Sequence, residues 1–406
     1  MTEVVIVDAV RTPIGALGGK LASVRPDDLA AFLLQEIVRR NHLDPLKIDD
    51  VYLGCANQAG EDNRNIARMA VLLAGYPPSV PGVTINRLCA SGLSAVNMAY
   101  HAIASGETNL MLAGGVESMS RAPYSIPKAE KGFSFGNLIA YDTALGWRYP
   151  NPRIEHEFGI DSMGETAENI AAQYEIKREA QDGFAVESHR RAIAAQDSGR
   201  FDDEIVAVKI TPMKGETIYV KEDERPRRDS SLEKLGRLNP SFRQGGTVTA
   251  GNSSGLNDGA SVLILASAER ANELGLKPMA RLISSATAGI EPRLMGLGPI
   301  EAVRKALNKA RLEIEDIHLA EINEAFAVQV LAVMHSLGLA HERVNVNGGA
   351  IALGHPLGCS GARILTTLLH EMKRRSRVEV RPFYGLATLC VGVGQGEATI
   401  VEWIGN

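Results

Sequence analysis

Two cysteines, a histidine and an asparagine lie far apart in this sequence but have similar local surroundings. Cys89 precedes a helical pattern, Asn323 follows a strand pattern, His355 stands between a glycine and a proline, and Cys390 ends a strand pattern. Because ligands of open α/β sheets gather at the carboxyl ends of strands, these residues can share a site. They supply what acyl transfer through a thioester needs, namely a thiolate, an imidazole, an amide at an oxyanion and a second proton carrier.

Cys89 is predicted to lie at the N-terminal end of a helix. A strand pattern at 83–86 precedes it, and apolar residues recur after it at spacings of three and four as far as Gly106. Unpaired N–H groups and the helix dipole favour an anion there, which predicts a lowered pKa for the thiol. A buried structural cysteine is the alternative, since most free cysteines have that role.

The other three residues also have structural explanations. A histidine between glycine and proline is often structural, an asparagine at a strand-to-helix junction is usually an N-cap, and a cysteine that ends a strand usually belongs to the core. The catalytic interpretation therefore depends on the four residues together.

The composition limits the class of protein. The chain has 406 residues, enough for two or three domains, with 45% apolar and 22% charged residues. A net charge of −5 gives no general attraction to nucleic acid or anionic membranes, and no apolar run is long enough to span a bilayer. Four scattered cysteines without a C-x-x-C pair argue against zinc and disulfides and favour a reducing compartment. We expect a cytoplasmic protein without a metal, a nucleic-acid partner or a membrane partner.

The chain alternates strand and helix patterns and contains an internal repeat. The first third predicts strands at 3–9, 50–54, 83–86 and 109–113 and helices at 27–40, 63–74 and after Cys89. The windows that correspond, in the same order, are 48–57 with 314–323, 91–93 with 360–362, and 110–113 with 385–388. Agreement in three ordered windows predicts two duplicated α/β halves.

The middle of the chain differs from both halves. Residues 122–162 are rich in Pro, Gly and aromatic residues, and two helical patterns follow at about 163–174 and 177–197. The basic cluster after them contains Arg225, Arg227 and Arg228, which is either a solvated face or a phosphate site. The small residues of 245–259 predict closely packed backbone or N–H groups turned toward a ligand.

The motifs around these residues resemble those of the thiolases, from Val5 to Ile400. The matching motifs are Cys89 with Ser91-Gly92, Asn323-Glu324-Ala325-Phe326, Gly354-His355-Pro356, Cys390 with the following Gly-x-Gly, Val346-Asn347-Gly348-Gly349-Ala350, and Thr249-Ala250-Gly251-Asn252-x-Ser254-Gly255. The resemblance implies an α/β fold with two duplicated, mixed five-stranded halves stacked as α/β/α/β/α layers. The implied domains are 1–121 plus 248–274, an inserted loop domain at 122–247 that binds CoA, and 275–406.

The resemblance also implies a mechanism. Cys89 would attack a 3-oxoacyl-CoA, and His355 would lower the pKa of Cys89 and form one oxyanion site with a water held by Asn323. The N–H groups of Cys89 and Gly392 would form the other oxyanion site. Cys390 would protonate the acetyl-CoA enolate and then deprotonate the incoming CoA.

The resemblance implies CoA as a co-substrate and no tightly bound cofactor. It places Arg227, Ser254 and Met163 at CoA, while spacing alone makes Arg228 an equal candidate for a phosphate. Relatives are dimers or tetramers, so we expect a homo-oligomer. Three positions depart from the family pattern, namely Ala90, Ser162 and Cys359; we expect Cys359 to pack and Ala90 to be tolerated if its φ stays negative.

Within the family, the sequence is most similar to thiolases that act on 3-oxoadipyl-CoA. The windows concerned are 54–65, 120–123, 146–148 and 291–299. The carboxylate end of that substrate would need a cation, for which Arg148 and Arg121 are candidates; both could equally be surface or interface arginines.

Three alternatives compete with this assignment. A broad-range 3-ketoacyl-CoA or acetoacetyl-CoA thiolase would use the same four residues. A decarboxylating or carrier-protein condensing enzyme would lack the second cysteine, so Cys390 argues against it. A non-catalytic CoA or lipid carrier on the same scaffold would have lost part of the constellation.

Overall fold

The computed structural model describes residues 2–130, 132–133, 135–211, 215–378 and 381–405. The predicted domain ends at residues 1 and 406 lie outside them. The strands are β1 (Val4–Arg11), β2 (Gly15–Ala16), β3 (Asp50–Gly54), β4 (Val83–Ile85), β5 (Leu110–Ser118), β6 (Tyr124–Ser125), β7 (Tyr141–Asp142), β8 (Val208–Ile210), β9 (Ile218–Val220), β10 (Asn257–Ser267), β11 (Ala280–Gly289), β12 (Ile317–Ile322), β13 (Tyr384–Val391) and β14 (Gln395–Trp403).

The helices follow the predicted alternation. They are α1 (Pro26–Arg40), α2 (Ile66–Leu73), α3 (Ser91–Ala104), α4 (Pro152–Phe158), α5 (Met163–Gln173), α6 (Arg178–Asp197), α7 (Leu232–Gly236), α8 (Ala268–Glu273), α9 (Gly298–Ala310), α10 (Ala327–Leu337), α11 (Ala350–Leu353) and α12 (Leu357–Arg375). Short 3-10 turns lie at Pro45–Lys47, Leu88–Ala90, Pro292–Leu297, Ile314–Asp316 and His341–Arg343. In the described part of the chain, no helix has both the length and the apolar character needed to cross a bilayer.

The two halves each build a mixed sheet with the same local pairing. The first sheet has the order β1-β10-β5-β3-β4, with β2 on β10, and the second has the order β11-β14-β13-β12. β3 is parallel to β5, as its repeat partner β12 is parallel to β13. A fifth strand was expected in the second half, where an isolated parallel bridge joins Ala320 and Val344 instead. Antiparallel pairs between β1 and β11 join the sheets.

The layers stack in the predicted α/β/α/β/α order. α3 and α12 share one apolar core with residues of both sheets, so they form the central layer. α1 and α2 cover the outer face of the first sheet, and α9 and α10 cover that of the second. Glycines let the central helices cross closely, since a Cβ on Gly92 would lie 2.6 Å from the Gly358 carbonyl and a Cβ on Gly361 would collide with Leu93. The first turns of α3 and α12 therefore meet.

The segment between β5 and β10 forms the insertion. It contains α4 to α7, and α5 and α6 pack into the core of the second half beside α10. Its chain is tied to β1 by the buried Arg11, whose guanidinium pairs with Asp223 at 2.7 Å and with Glu204 at 2.6 Å. The insertion is therefore held against both halves. Its limits at 122 and 247 stay a prediction.

The predicted strand at 109–113 was too short. β5 continues to Ser118 through Gly114 and Gly115, where a Cβ would collide with the Ser261 and Gly358 carbonyls. The glycines therefore permit close packing of β5 against β10 and the start of α12, and they do not end the strand. The extension brings Glu117 to the end of the sheet near the catalytic helices.

Candidate active site

Cys89 lies in the tight turn that leads directly into α3, as predicted. Leu88 before it has a φ of +46°, which a branched side chain rarely adopts. Ser91 holds the turn, because its hydroxyl accepts from the Arg87 N–H at 2.9 Å and donates to the Leu88 carbonyl at 2.6 Å. The thiol is thus fixed at the N-terminal end of the helix and is half-buried.

The expectation of a lowered pKa for the Cys89 thiol is wrong. Burial raises the pKa of Cys89 to about 11, and the N–H groups of Gly392 and of Cys89 itself offset only part of this effect. The helix end favours the thiolate, but loss of water penalises it more. Cys89 is therefore a neutral thiol, and a base would have to remove its proton for the sulfur to act as a nucleophile.

His355 lies directly before α12 and is oriented by Ser360. Its Nδ1 is 2.6 Å from the Ser360 Oγ, and that hydroxyl donates to the Pro356 carbonyl at 2.9 Å. Because the Ser360 hydroxyl donates its proton to the Pro356 carbonyl, it can only accept a hydrogen bond from the imidazole. This network assigns the imidazole proton to Nδ1 and leaves the Nε2 lone pair free to accept a proton. Burial, then the charge of Arg363, lowers the pKa of His355 to about 3, so the ring is neutral at pH 7.

Sequence reasoning did not assign Ser360 a role in the site. The internal repeat held a usable signal, because it pairs Ser360 with Ser91, and each serine fixes the turn before a central helix. Asn257 on β10 also holds the backbone of His355 in place, because its side-chain oxygen accepts a hydrogen bond from the His355 N–H at 3.0 Å.

Asn323 follows β12 and faces the imidazole. Its backbone N–H donates to the Thr388 carbonyl at 3.0 Å, and its Nδ2 lies 3.4 Å from each ring nitrogen of His355. Its Oδ1 is buried and has no hydrogen-bond partner among the described residues. A buried acceptor of this kind can hold a water or a substrate group.

Cys390 and Gly392 lie on the hairpin of β13 and β14. Positive φ angles at Val393 (+61°) and Gly394 (+76°) close its turn. The backbone N–H of Gly392 is directed at the Cys89 thiol. Burial, then the neighbouring Cys89, raises the pKa of Cys390 well above its usual range, so this thiol is protonated and can act as an acid.

Glu117 ties loops of both halves together at the site. Its carboxylate accepts the N–H groups of Ala56 at 2.9 Å, Asn57 at 3.2 Å and Gly358 at 2.8 Å. Burial raises its pKa to about 7, although these N–H groups oppose the shift. Gly358 is three residues from His355, so Glu117 fixes the start of α12 against β3. This residue was also missed, because its partners are far away in the sequence.

The residues expected at CoA fall into two groups. Met163 and Ser254 lie beside candidate site residues: the Met163 Sδ is 3.7 Å from where a Cβ on Gly392 would stand, and the Ser254 N–H donates to the carbonyl of Ala325, two residues after Asn323, at 3.0 Å. Arg227 and Arg228 lie on the surface of the insertion.

The two surface arginines differ in their partners. Arg228 is bonded to Asp197 through two contacts of 2.5 and 2.8 Å. The Arg227 N–H donates to the Nδ1 of His189, and its guanidinium has no ion-pair partner in the described chain. Arg227 is therefore the freer of the two to bind a phosphate.

The two candidate arginines for a substrate carboxylate also differ. The Arg121 guanidinium pairs with Glu61 and donates to the Ala22 carbonyl, and it lines a cavity of about 620 Å³ that none of the catalytic residues lines. Arg148 bonds only neutral groups, the Thr143 carbonyl at 3.2 Å and the Asn57 Oδ1 at 3.4 Å. Arg148 is also half-buried. Its positive charge is therefore not neutralised by these partners and is available to bind an anion.

The three departures from the family pattern have local explanations. Ala90 has a φ of −91°, which confirms that its methyl group is tolerated. Cys359 is fully buried, and burial raises its pKa to about 12, which fits packing. Ser162 caps α5, since its Oγ accepts the Glu165 N–H at 3.3 Å.

Known proteins are similar to this chain along nearly its whole length. Residues 4–269 match the family model of the thiolase N-terminal domain, and residues 276–403 match that of the C-terminal domain. The β-ketoadipyl-CoA thiolase of Pseudomonas aeruginosa is 55% identical over 98% of this chain and 99% of its own. The 3-oxoadipyl-CoA/3-oxo-5,6-dehydrosuberyl-CoA thiolase of Escherichia coli is 54% identical over 99% of this chain and 100% of its own.

Solved structures agree as well. The Bacillus anthracis acetyl-CoA acetyltransferase superposes with a TM-score of 0.93 at 45% identity, covering 100% of this chain and 99% of that chain. Human mitochondrial 3-ketoacyl-CoA thiolase gives a TM-score of 0.91 at 38% identity, with 99% of each chain covered. Fold, site and relatives together define an acyltransferase. The chain belongs to the thiolase family.

Proposed function

We propose that this thiolase cleaves 3-oxoadipyl-CoA with CoA to succinyl-CoA and acetyl-CoA, through an acyl-enzyme on Cys89. The names of the Pseudomonas aeruginosa and Escherichia coli relatives support this substrate. The observation that carries the proposal is Arg148, a half-buried cation that bonds only neutral groups.

The first half-reaction forms the acyl-enzyme. The neutral His355 takes the Cys89 proton on Nε2 as the sulfur attacks the ketone carbon, and the N–H groups of Cys89 and Gly392 hold the oxyanion. The carbon–carbon bond breaks to leave a succinyl group on Cys89 and the enolate of acetyl-CoA. The protonated His355 and a water held by Asn323 stabilise the enolate oxygen, and Cys390 donates the proton that completes acetyl-CoA.

The second half-reaction transfers the acyl group. The Cys390 thiolate takes the proton from the thiol of CoA, whose sulfur attacks the thioester on Cys89. Collapse of this intermediate releases succinyl-CoA, and His355 returns its proton to Cys89. Ser254 and Met163 bind the pantetheine arm and Arg227 binds a phosphate of CoA, which enters as a co-substrate.

Arg148 binds the free carboxylate of the substrate. Its partner Asn57 adjoins Ala56, whose carbonyl accepts from the Asn86 side chain at 3.0 Å, and Asn86 in turn accepts the Leu88 N–H at 2.9 Å. Arg148 is therefore linked to the nucleophile turn by a short hydrogen-bonded chain. Arg121, already neutralised by Glu61, is not assigned this role.

The test compares kcat/KM for 3-oxoadipyl-CoA, acetoacetyl-CoA and a medium-chain 3-oxoacyl-CoA. We expect a preference of about tenfold or more for the dicarboxylic substrate, or roughly 1.4 kcal/mol. Arg148→Gln should abolish this preference and leave acetoacetyl-CoA cleavage within about twofold. Arg153→Gln, an exposed arginine on α4, is the matched control. Equal rates on all substrates would instead identify a broad-range thiolase.

We also propose that the chain forms a homo-oligomer, a dimer or tetramer. Exposed apolar side chains in the segment between Tyr124 and Leu145 support a second copy as the partner. Light scattering during size-exclusion chromatography tests this, and a monomer at micromolar concentration would contradict it. The four free cysteines support a reducing, cytoplasmic location.

A further inference from the structure

A second cavity, of about 720 Å³, lies at the far end of α12 from the candidate active site. His355 directly precedes α12, whereas the cavity is lined by His370 and Lys373 near the end of that helix. At the rise of an α-helix, the 13 residues from Leu357 to His370 span about 20 Å. None of the residues assigned to catalysis or to CoA lines the cavity. It is therefore separate from the site of the proposed reaction.

The walls of the cavity are preformed and mostly apolar. The backbone N–H groups of Ile404 and Gly405 both donate to the Met279 carbonyl, at 3.0 and 2.9 Å, and the Met279 N–H donates to the Ile6 carbonyl at 2.8 Å. Beside them, β1 has a bulge at Val7, a feature often found next to functional sites. The apolar lining residues are Val7, Leu276, Pro278, Met279, Trp403 and Ile404. Such a cavity suits a ligand with an apolar body.

Two buried polar atoms belong to lining residues and have no hydrogen-bond partner among the described residues. They are the Nδ1 of His370 and the Nε1 of Trp403, whose side chains are almost fully buried. The His370 Nε2 lies 2.8 Å from the Ala9 carbonyl, which can only accept, so Nε2 carries the proton and Nδ1 of the neutral ring is an acceptor. The indole N–H is a donor. A ligand hydroxyl, which both donates and accepts, can satisfy either atom.

The rim of the cavity has an excess of positive charge. Arg40, Lys277 and Lys373 line it. Arg40 pairs with Asp8 at 3.1 Å, and Lys373 pairs with Asp203 at 3.0 Å. Lys277 is exposed and has no ion-pair partner in the part of the chain that the structure describes. One cation is therefore available to attract an anionic ligand.

We propose that this cavity is a second binding site, for an organic acid with an apolar body, a carboxylate and a hydroxyl group. The carboxylate binds Lys277 at the rim, the body packs against the Trp403 ring, and the hydroxyl bonds the buried imidazole or indole nitrogen. Because the cavity lies at the opposite end of α12 from His355, this ligand does not compete with the acyl-CoA substrate. The proposal does not depend on which 3-oxoacyl-CoA is cleaved.

The test uses 3-(4-hydroxyphenyl)propionate as the probe, which carries all three features. The chain has two tryptophans, so Trp147→Phe leaves Trp403 as the one whose fluorescence reports on the cavity. We expect a saturable change in emission and the same Kd by calorimetry. Removal of the hydroxyl, in 3-phenylpropionate, or of the charge, in the propionamide, should raise the Kd by about fivefold or more.

A matched pair of lysine variants locates the carboxylate. Lys277→Gln should raise the Kd for the probe by about threefold and leave the Kd for the propionamide unchanged, since an exposed charge pair contributes modestly. Both side chains are exposed, so neither substitution endangers folding. Lys209→Gln, on β8 and away from the cavity, is the control and should change neither Kd.

The remaining outcomes separate this site from the proposed reaction. Saturating acetyl-CoA should leave the Kd for the probe unchanged, and displacement of the probe by acetyl-CoA would overturn the second site. Absence of saturable binding, or equal affinity for the probe and both of its analogues, would also overturn it. Binding of the probe by a protein without thiolysis activity would support the second site and contradict the proposed function alone.

Discussion

Ser360→Ala tests whether the orientation of His355 limits catalysis. The substitution removes the acceptor 2.6 Å from the His355 Nδ1 and leaves that N–H buried without a partner. An unsatisfied buried donor costs about 1–3 kcal/mol. If the reactive tautomer bears this cost, kcat falls by roughly 5- to 150-fold. KM for the acyl-CoA should change little, because Ser360 is buried behind the imidazole and does not reach the substrate.

The assay is steady-state thiolysis, together with rapid-quench measurement of acyl-enzyme formation and urea unfolding of each variant. Ser376→Ala is the matched control, because it removes a serine hydroxyl from the opposite end of the same helix, where that hydroxyl bonds the Lys373 carbonyl at 2.8 Å. The control should keep kcat within about twofold of the parent. A Ser360→Ala variant with unchanged kcat and stability would refute the assigned tautomer and the positioning role.

Two further predictions concern stability. Asp223→Asn leaves the buried Arg11 with a weakened partner and should lower the free energy of unfolding by about 3–5 kcal/mol in urea titrations; a loss below about 1 kcal/mol would contradict the ion-pair account. Burial raises the pKa of Glu117 from 4.5 to about 7, so between these pH values the folded chain keeps a proton that the unfolded chain releases. The stability that this proton contributes is therefore complete below about pH 4.5 and is lost as the pH rises to about 7. Between pH 5 and 8 the parent should therefore lose about 2–3 kcal/mol more than Glu117→Gln, and equal losses would contradict this account.

Local patterns predicted the elements of this fold well where neighbouring residues decide the structure. The strand predicted at 50–54 is β3, with the bounds Asp50–Gly54, and the helix predicted after Cys89 ends at Ala104, just before Gly106 with its φ of +81°. The repeat predicted the shared pairing of the halves, because each half must bury one central helix against its own sheet. β5 was misjudged, since Gly114 packs against Ser261 on β10 and Gly115 against Gly358 at the start of α12, and both partners are far away in the sequence.

The site shows the same limit. Cys89, Asn323 and His355 were proposed as site residues because their local settings are unusual, and the structure brings Asn323 within 3.4 Å of the imidazole. Partners of side chains could not be predicted, so Ser360 and Glu117 were missed. The pKa of Cys89 was misjudged for a related reason, since the helix end is visible in the sequence whereas the depth of burial is not.

The most direct test of the central claim is peptide mass spectrometry of the protein quenched during turnover of 3-oxoadipyl-CoA without added CoA. The mechanism predicts one succinyl group on the peptide that contains Cys89, its absence in Cys89→Ser, and its loss when CoA is added. A succinyl group on the Cys390 peptide, or no acyl-enzyme while products still form, would contradict the assignment of Cys89 as the nucleophile.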